Sequence, residues 1–148
     1  MAEKQETGPF IVGYDGTAAA KRAVEFASQQ AKAAQNKVHL VHVLEWSAYS
    51  FLTPEELSER HKRRKEELSR ANAILEPVAN ELKAKGVDAT HEVRYGHAGE
   101  ILCEIAEATK GSQIVIGRTG TTSIAARLLG GLALTLVQAS PVPVTVVP

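Results

Sequence analysis

Residues Gln113 to Gly131 read QIVIGRTGTTSIAARLLGG, and the parsing of this stretch decides the fold. An apolar run, Ile114 to Ile116, enters a loop holding Gly117, Arg118, Thr119 and Gly120, and the stretch closes on Gly130 and Gly131 ahead of another apolar segment. The order expected is strand, loop, helix. Glycine lets the backbone take positive φ and come close to a ligand, because no Cβ intervenes. A helix starting at Gly130 would turn its unpaired N–H groups and the positive end of its dipole toward the loop, a general arrangement for holding an anion. The same glycines also serve as plain turn formers. The stretch is not a P-loop, since no lysine follows Lys110, and no G-x-G-x-x-G follows any strand candidate.

Outward from here the chain alternates in the same manner. Toward the N-terminus, Phe10 to Tyr14 (FIVGY) is a short apolar run stopped by the turn Asp15-Gly16-Thr17, as expected of a strand buried on both faces. Ala20, Ala23, Val24, Ala27, Ala31 and Ala34 then recur at helical spacing with small side chains, and Thr17 is the expected N-cap. Val38 to Leu44 reads as a second strand, with His39 and His42 on opposite faces and so unable to chelate one metal ion. The connection 45–52 (EWSAYSFL) holds the only Trp and is a flap, an interface patch or a packed loop. Thr53-Pro54-Glu55-Glu56 opens a long helix expected to run to Lys85 and stop at Gly86, with a kink at Pro77. The basic run Arg60 to Lys65 is followed by Glu66 and Glu67, which reads as a solvated, ion-paired helix face rather than a nucleic-acid patch. Val87 to Tyr95 alternates as an outer strand, Gly96-His97-Ala98-Gly99 turns the chain, and Glu100 to Thr109 is a short helix. His97 either faces a ligand or caps the turn. A last helix through Leu136 leads to a C-terminal strand within residues 142–147, interrupted by Pro143; short and apolar, it is a candidate edge for pairing with a second copy.

Composition bounds the function. With 148 residues the chain suits one compact domain, read as 9–148 after a disordered leader at 1–8. Basic and acidic residues balance at 17 each, so no global attraction to nucleic acid or anionic membrane is expected. Aromatic residues are only 5%, so the core must be aliphatic. A lone Cys103 permits neither an internal disulfide nor a cysteine metal cluster and is read as an inert thiol. No run nears 18 apolar residues, and the N-terminus has no apolar signal core. A soluble, cytoplasmic protein with no membrane insertion is expected.

Five strand candidates alternating with four helical segments argue for a doubly wound α/β sheet with helices on both faces. If the first strand is central, strand order reverses between strands one and four, and a ligand crevice lies there. The loops at that place are Asp15-Gly16-Thr17 and Gly117 to Gly130.

These residues resemble the universal stress proteins over essentially the whole chain. The resemblance lies in Ile11-Val12-Gly13-Tyr14-Asp15-Gly16-Thr17, Leu40-Val41-His42-Val43, Gly96 to Ile101, Ile114-Val115-Ile116-Gly117 and the closing Pro-Val-Pro-Val-Thr-Val-Val. It implies a Rossmann-like, adenine nucleotide alpha hydrolase-like fold, with a five-stranded parallel sheet in the order 3-2-1-4-5, and commonly a homodimer, here through 142–147. In the nucleotide-binding branch it implies ATP or another adenine nucleotide in the crevice, held by a G-x2-G-x9-G-Ser/Thr loop. Gly117, Gly120 and Gly130 keep that spacing. Asp15, with the turn residues Gly16 and Thr17, matches the acid near the ribose, and Val43 the residue beside the adenine. Arg118 and the backbone of Gly130 and Gly131 would face the phosphates, with Mg as a possible accompanying cation. The pattern departs at Gly131 and Ala133, where the family has hydroxyls.

Two functions follow. One is a regulatory or sensor module that binds ATP or AMP; the alternative is a dimeric interaction module of the same family that has lost its nucleotide. Catalysis as the main role is not indicated, because the only aspartates are Asp15 and Asp88 and the sequence shows no nucleophile, base and orienter together. A response-regulator receiver domain is excluded, since no Asp follows the third strand.

Overall fold

The computed structural model describes residues 7–45, 53–118 and 131–148. Most of the expected leader, residues 1–6, the aromatic stretch 46–52 and the loop 119–130 lie outside the described residues. The elements run β1 (Phe10–Gly13), α1 (Ala18–Ala34), β2 (Val38–Leu44), α2 (Pro54–Ala84), β3 (Ala89–Tyr95), α3 (Ala98–Ala108), β4 (Gln113–Gly117), α4 (Gly131–Ala139) and β5 (Val144–Val147). All strand pairs are parallel and the sheet order is β3-β2-β1-β4-β5, as expected.

The register sorts the apolar residues onto two faces. Ile11 pairs with His39 and Ile114, and Val12 with Leu40 and Val115, so side chains one residue apart fall on opposite sides. One core, under α1 and α2, gathers Val12, Val24, Leu40, Leu75, Leu82 and Val115; the other, under α3 and α4, gathers Ile11, Val41, Leu102, Ile105, Ile114 and Leu136. This double burial explains why the central strands are uninterrupted apolar runs.

The helix ends follow local chemistry. Thr17 caps α1 by accepting from the Ala20 N–H at 3.2 Å. Thr53 and Glu56 form the reciprocal capping box of α2. Gly86, at φ +84°, ends the long helix where a left-handed residue is needed. Pro77 does not end α2, which continues to Ala84. Ala73 and Pro77 both lie on its exposed flank, so the carbonyl that loses its N–H partner is hydrated. The first half of α2 is almost wholly exposed and bears the basic run. It is fastened to the sheet by Tyr95, whose hydroxyl donates to Glu67 at 3.0 Å and whose ring lies 5.1 Å from the Arg64 guanidinium. The C-terminal strand begins at Val144, so Pro143 precedes it rather than interrupting it. Its carbonyl still accepts from the Ile114 N–H at 2.9 Å.

Gly117, at the end of β4, is glycine for a packing reason. A Cβ there would overlap the Ala19 carbonyl and lie 3.0 Å from the Ala20 nitrogen, so the first turn of α1 rests directly on the strand backbone. The edge pair β2–β3 is held differently, by a polar ladder. His39 Nε2 donates to Glu92 Oε1 at 2.7 Å, its Nδ1 meets the Thr90 hydroxyl at 2.6 Å, and Arg94 Nε donates to Glu92 Oε2 at 3.0 Å. Partial burial pushes the Glu92 carboxyl up, but the hydrogen bonds from His39 and Arg94 and their charges outweigh it and hold it below its ordinary value of 4.5.

Two outcomes follow from these contacts. Gly117→Ala lowers unfolding stability by about 3 kcal/mol, because helix and strand must part, whereas a urea midpoint equal to that of the wild type would contradict the close approach. Glu92, with its folded value lowered, contributes stability that is complete above the unfolded value near 4.5 and is lost as pH falls through the folded one. Glu92→Gln therefore costs about 1 kcal/mol at neutral pH and less as pH falls below 4.5, and urea titrations of both proteins from neutral into acid pH check the closing gap.

Candidate functional site

β1 and β4 are neighbours, the helices that follow them lie on opposite faces, and beyond the strands' carboxyl ends the chain leaves a cavity of about 330 Å³. That is within the range of small-ligand sites. Its floor is Gly13, Val41, Val43 and Ile116 from the sheet; α3 contributes Ala98 and Leu102, and α4 contributes Leu132. The turn after β1 supplies Asp15 and Thr17, and Gly117 closes the side against Ala19 and Ala20.

The turn is preorganised. Asp15 Oδ1 accepts from both the Thr17 N–H at 3.0 Å and the Thr17 hydroxyl at 2.6 Å, while Thr17 in turn caps α1. Asp15 Oδ2 has no partner among the described residues and is exposed at the cavity mouth. The carbonyl of Tyr14 accepts from His42 Nδ1 at 2.7 Å, and the Tyr14 N–H donates to the Val41 carbonyl at 2.8 Å. These bonds fix the approach to the turn from both sides.

Charge in the cavity is divided. The first turns of α1, α3 and α4 all reach it, and each brings the positive end of a helix dipole. Against them stand the carboxylates of Asp15 and Glu45. The site thus offers hydrogen-bond donors to an anion along the helix ends, acceptors to hydroxyls at Asp15, and an apolar shelf at Val41 and Val43.

Of the residues singled out in the sequence, Asp15, Thr17, Val43 and Gly117 share this cavity. Gly16 sits in the turn at φ +81°, where glycine is favoured, but is not part of the wall. Arg118 lies just past the wall, with its N–H donating to the Val147 carbonyl at 2.8 Å. Gly131 opens α4 one residue before Leu132, so the helix starts there. Gly120 and Gly130 lie outside the described residues. His97 is the N-cap residue of α3 without a side-chain cap bond and is not in the wall. The wall residues not singled out as site residues include Gly13, Tyr14, Ala19 and Ala20 around the first turn, and Glu45, Ala98, Leu102, Ile116 and Leu132 from the elements that follow. Val41, two residues before Val43 and therefore on its face, was legible from strand alternation.

The structure also corrects the expectation that no hydroxyl, imidazole and carboxylate come together. Thr90, His39 and Glu92 form such a chain, 51 residues of sequence separating the hydroxyl from the ring. They line neither this cavity nor the groove between α1 and α2 described below. Arg94 shares the carboxylate. The chain fastens the edge strand. Among the described residues no group of three His, Cys, Asp or Glu side chains could hold a metal ion, and no helix is long and apolar enough to cross a membrane.

Known proteins agree with this architecture. The universal stress protein UspA from Lactobacillus plantarum superposes with a TM-score of 0.81 at 22% identity, over 99% of this chain and 100% of that one. An Archaeoglobus fulgidus universal stress protein in complex with dAMP matches with a TM-score of 0.62 at 20% identity, over 97% and 100%. An Arabidopsis thaliana universal stress protein family protein with AMP bound gives 0.65 at 18%, over 95% and 90%. No curated protein matches the chain. The model of the universal stress protein family matches residues 7–148, nearly the whole chain, and the protein belongs to that family.

Proposed function

We propose that the crevice binds an adenine nucleotide, ATP or AMP, and that the protein works as a regulatory or sensor module of the stress response in the cytoplasm. One observation carries this reading: the free oxygen of Asp15, the Val41–Val43 shelf and the first turns of three helices meet in a single cavity. Asp15 Oδ2 accepts from a ribose hydroxyl, Val43 borders the base, and the phosphates lie toward α4 with Gly117, Arg118, Gly120, Gly130 and Gly131 around them. An accompanying Mg would be held by the phosphates, since no group of three His, Cys, Asp or Glu among the described residues could hold a metal ion. The complexes of relatives with dAMP and AMP support the ligand class. The wall's carboxylate–hydroxyl pair, Asp15 with Thr17 at 2.6 Å, is engaged in closing the turn and capping α1, which supports binding rather than turnover.

A specific observation favours a second reading, the dimeric module without a ligand. Gly131 replaces the family's phosphate-binding hydroxyl. Leu134 and Val137 stand 52% and 68% exposed on α4, a helix in contact with the edge strand β5, along which a second copy would pair at 144–147.

Gly131→Ser separates the two. A Cβ at position 131 meets nothing within 4 Å, so the substitution fits the fold. Under the nucleotide reading, calorimetric titration shows ATP binding to the wild type, about tenfold tighter binding to Gly131→Ser through a hydroxyl donated to charged phosphate, and a comparable loss in Asp15→Ala. If neither the wild type nor Gly131→Ser binds ATP or AMP at millimolar concentration, the dimeric module stands instead.

A further inference from the structure

The other face of the sheet carries a second cavity. Between α1 and α2 runs an open groove of about 540 Å³, floored by Tyr14, Val24, Val78 and Leu82. Two hydroxyls line it and have no hydrogen-bond partner among the described residues: Tyr14, 5% exposed, and Ser28, 9% exposed. Ser28 lies within α1 yet does not bond back to the helix carbonyls, which is where a helical serine ordinarily finds an acceptor. Both residues line this one volume and their oxygens keep access to it, so each hydroxyl is open to an occupant of the groove. Burial, with the charges of Asp15 and Glu81, pushes the Tyr14 phenol up, so it stays a donor throughout the physiological range.

The rim has a charge pattern of its own. Lys85 pairs with Glu81 at 3.6 Å along α2. On α1, Lys21, Glu25 and Lys32 line the groove with no ion pair at 4 Å or less, leaving an excess of one positive charge.

We infer that the α1–α2 groove is a second ligand site, taking a small amphipathic monoanion: an apolar body against Val24, Val78 and Leu82, and acceptor oxygens toward the Tyr14 and Ser28 hydroxyls and the free lysines. Carboxylates and sulfonates on an aryl or short alkyl body share this chemistry. A neutral apolar molecule leaves both hydroxyls unmet, and a dianion meets Glu25 and Glu81. The site is separate from the nucleotide crevice and does not rest on that reading, although Tyr14 lines both cavities.

The test uses the full chain and 8-anilinonaphthalene-1-sulfonate, a fluorescent aryl monoanion, with octanoate and 1-octanol as competitors. The expected result is saturable one-to-one binding, displaced by octanoate and not by octanol. Amide shifts gather at Tyr14, Val24, Ser28 and Val78. The double variant Tyr14→Phe/Ser28→Ala binds about tenfold more weakly. Lys32→Glu, at an exposed rim position that leaves the core intact, weakens binding as well, so the inference can fail even if the double variant does not fold. Non-saturable binding, affinity unchanged in Lys32→Glu, equal displacement by octanol, or shifts gathered at Leu134 and Val137 or in the crevice would each overturn it.

Discussion

The contact on which the rest depends is the seating of α1 on the end of β4. At Gly117 the strand offers bare backbone, and the Ala19 carbonyl occupies the space a side chain would take. Helix and strand therefore meet main chain to main chain, at the place where the sheet changes direction. The buried face of α1 suits this, with Ala19, Ala20, Ala23, Ala27 and Ala31 all small. An alanine face removes little apolar area per residue, so its stabilisation comes from closeness rather than bulk. The same closeness brings the first turn of α1 over the carboxyl ends of the strands. Thr17 satisfies that turn from one side and Asp15 from the other, so one short turn both starts a helix and aims a carboxylate.

The electrostatics of the crevice follow from topology. Every crossover in a parallel sheet returns a helix whose first turn faces the carboxyl ends of the strands, so positive helix ends collect there whatever the sequence. The sequence decides only what is set against them. Here that is Asp15, held by Thr17, and Glu45 at the end of β2. A ligand that suits both halves carries negative charge at one end and hydroxyl donors at the other. A simple anion meets two carboxylates, and a neutral polyol leaves the helix ends without a counterpart.

Much of this was legible in the chain. The strands themselves are legible as apolar runs broken by turn residues, while their order comes from the family resemblance; Thr17 as the cap of α1 is a local rule, and Asp15, Thr17 and Val43 share one cavity. Gly117 was found as a glycine that mattered, but its cause was hidden: a missing Cβ signals close approach without naming the neighbour, and that neighbour lies nearly one hundred residues away in sequence. The Thr90–His39–Glu92 chain was illegible for a related reason. His39 and Thr90 become neighbours only through the β2–β3 register, which depends on how α2 seats the edge strand. The cost of Pro77 within α2 is not legible for a similar reason, since it depends on whether the orphaned carbonyl is buried or wet, and the sequence does not show which flank faces water.

The groove, too, arises from spacing rather than from any motif. Strands lie about 4.8 Å apart. α1 packs over β1 and β4 while α2 packs over β3 and the outer side of β2, so their axes are separated by about two and a half strand spacings, or roughly 12 Å. Helices in contact sit about 8–10 Å apart, so the pair stays open over the β1–β2 boundary. On the opposite face the corresponding space is closed: Gly99 lets α3 meet α4 so tightly that a Cβ would stand 2.7 Å from the Thr135 methyl. No such glycine draws α1 toward α2. The gap is instead floored by the Tyr14 ring, a side chain long enough to reach from the sheet into the space between the helices. Tyr14 is the last residue before the Asp15 turn, so what occupies that gap rests against the strand end from which the crevice is built.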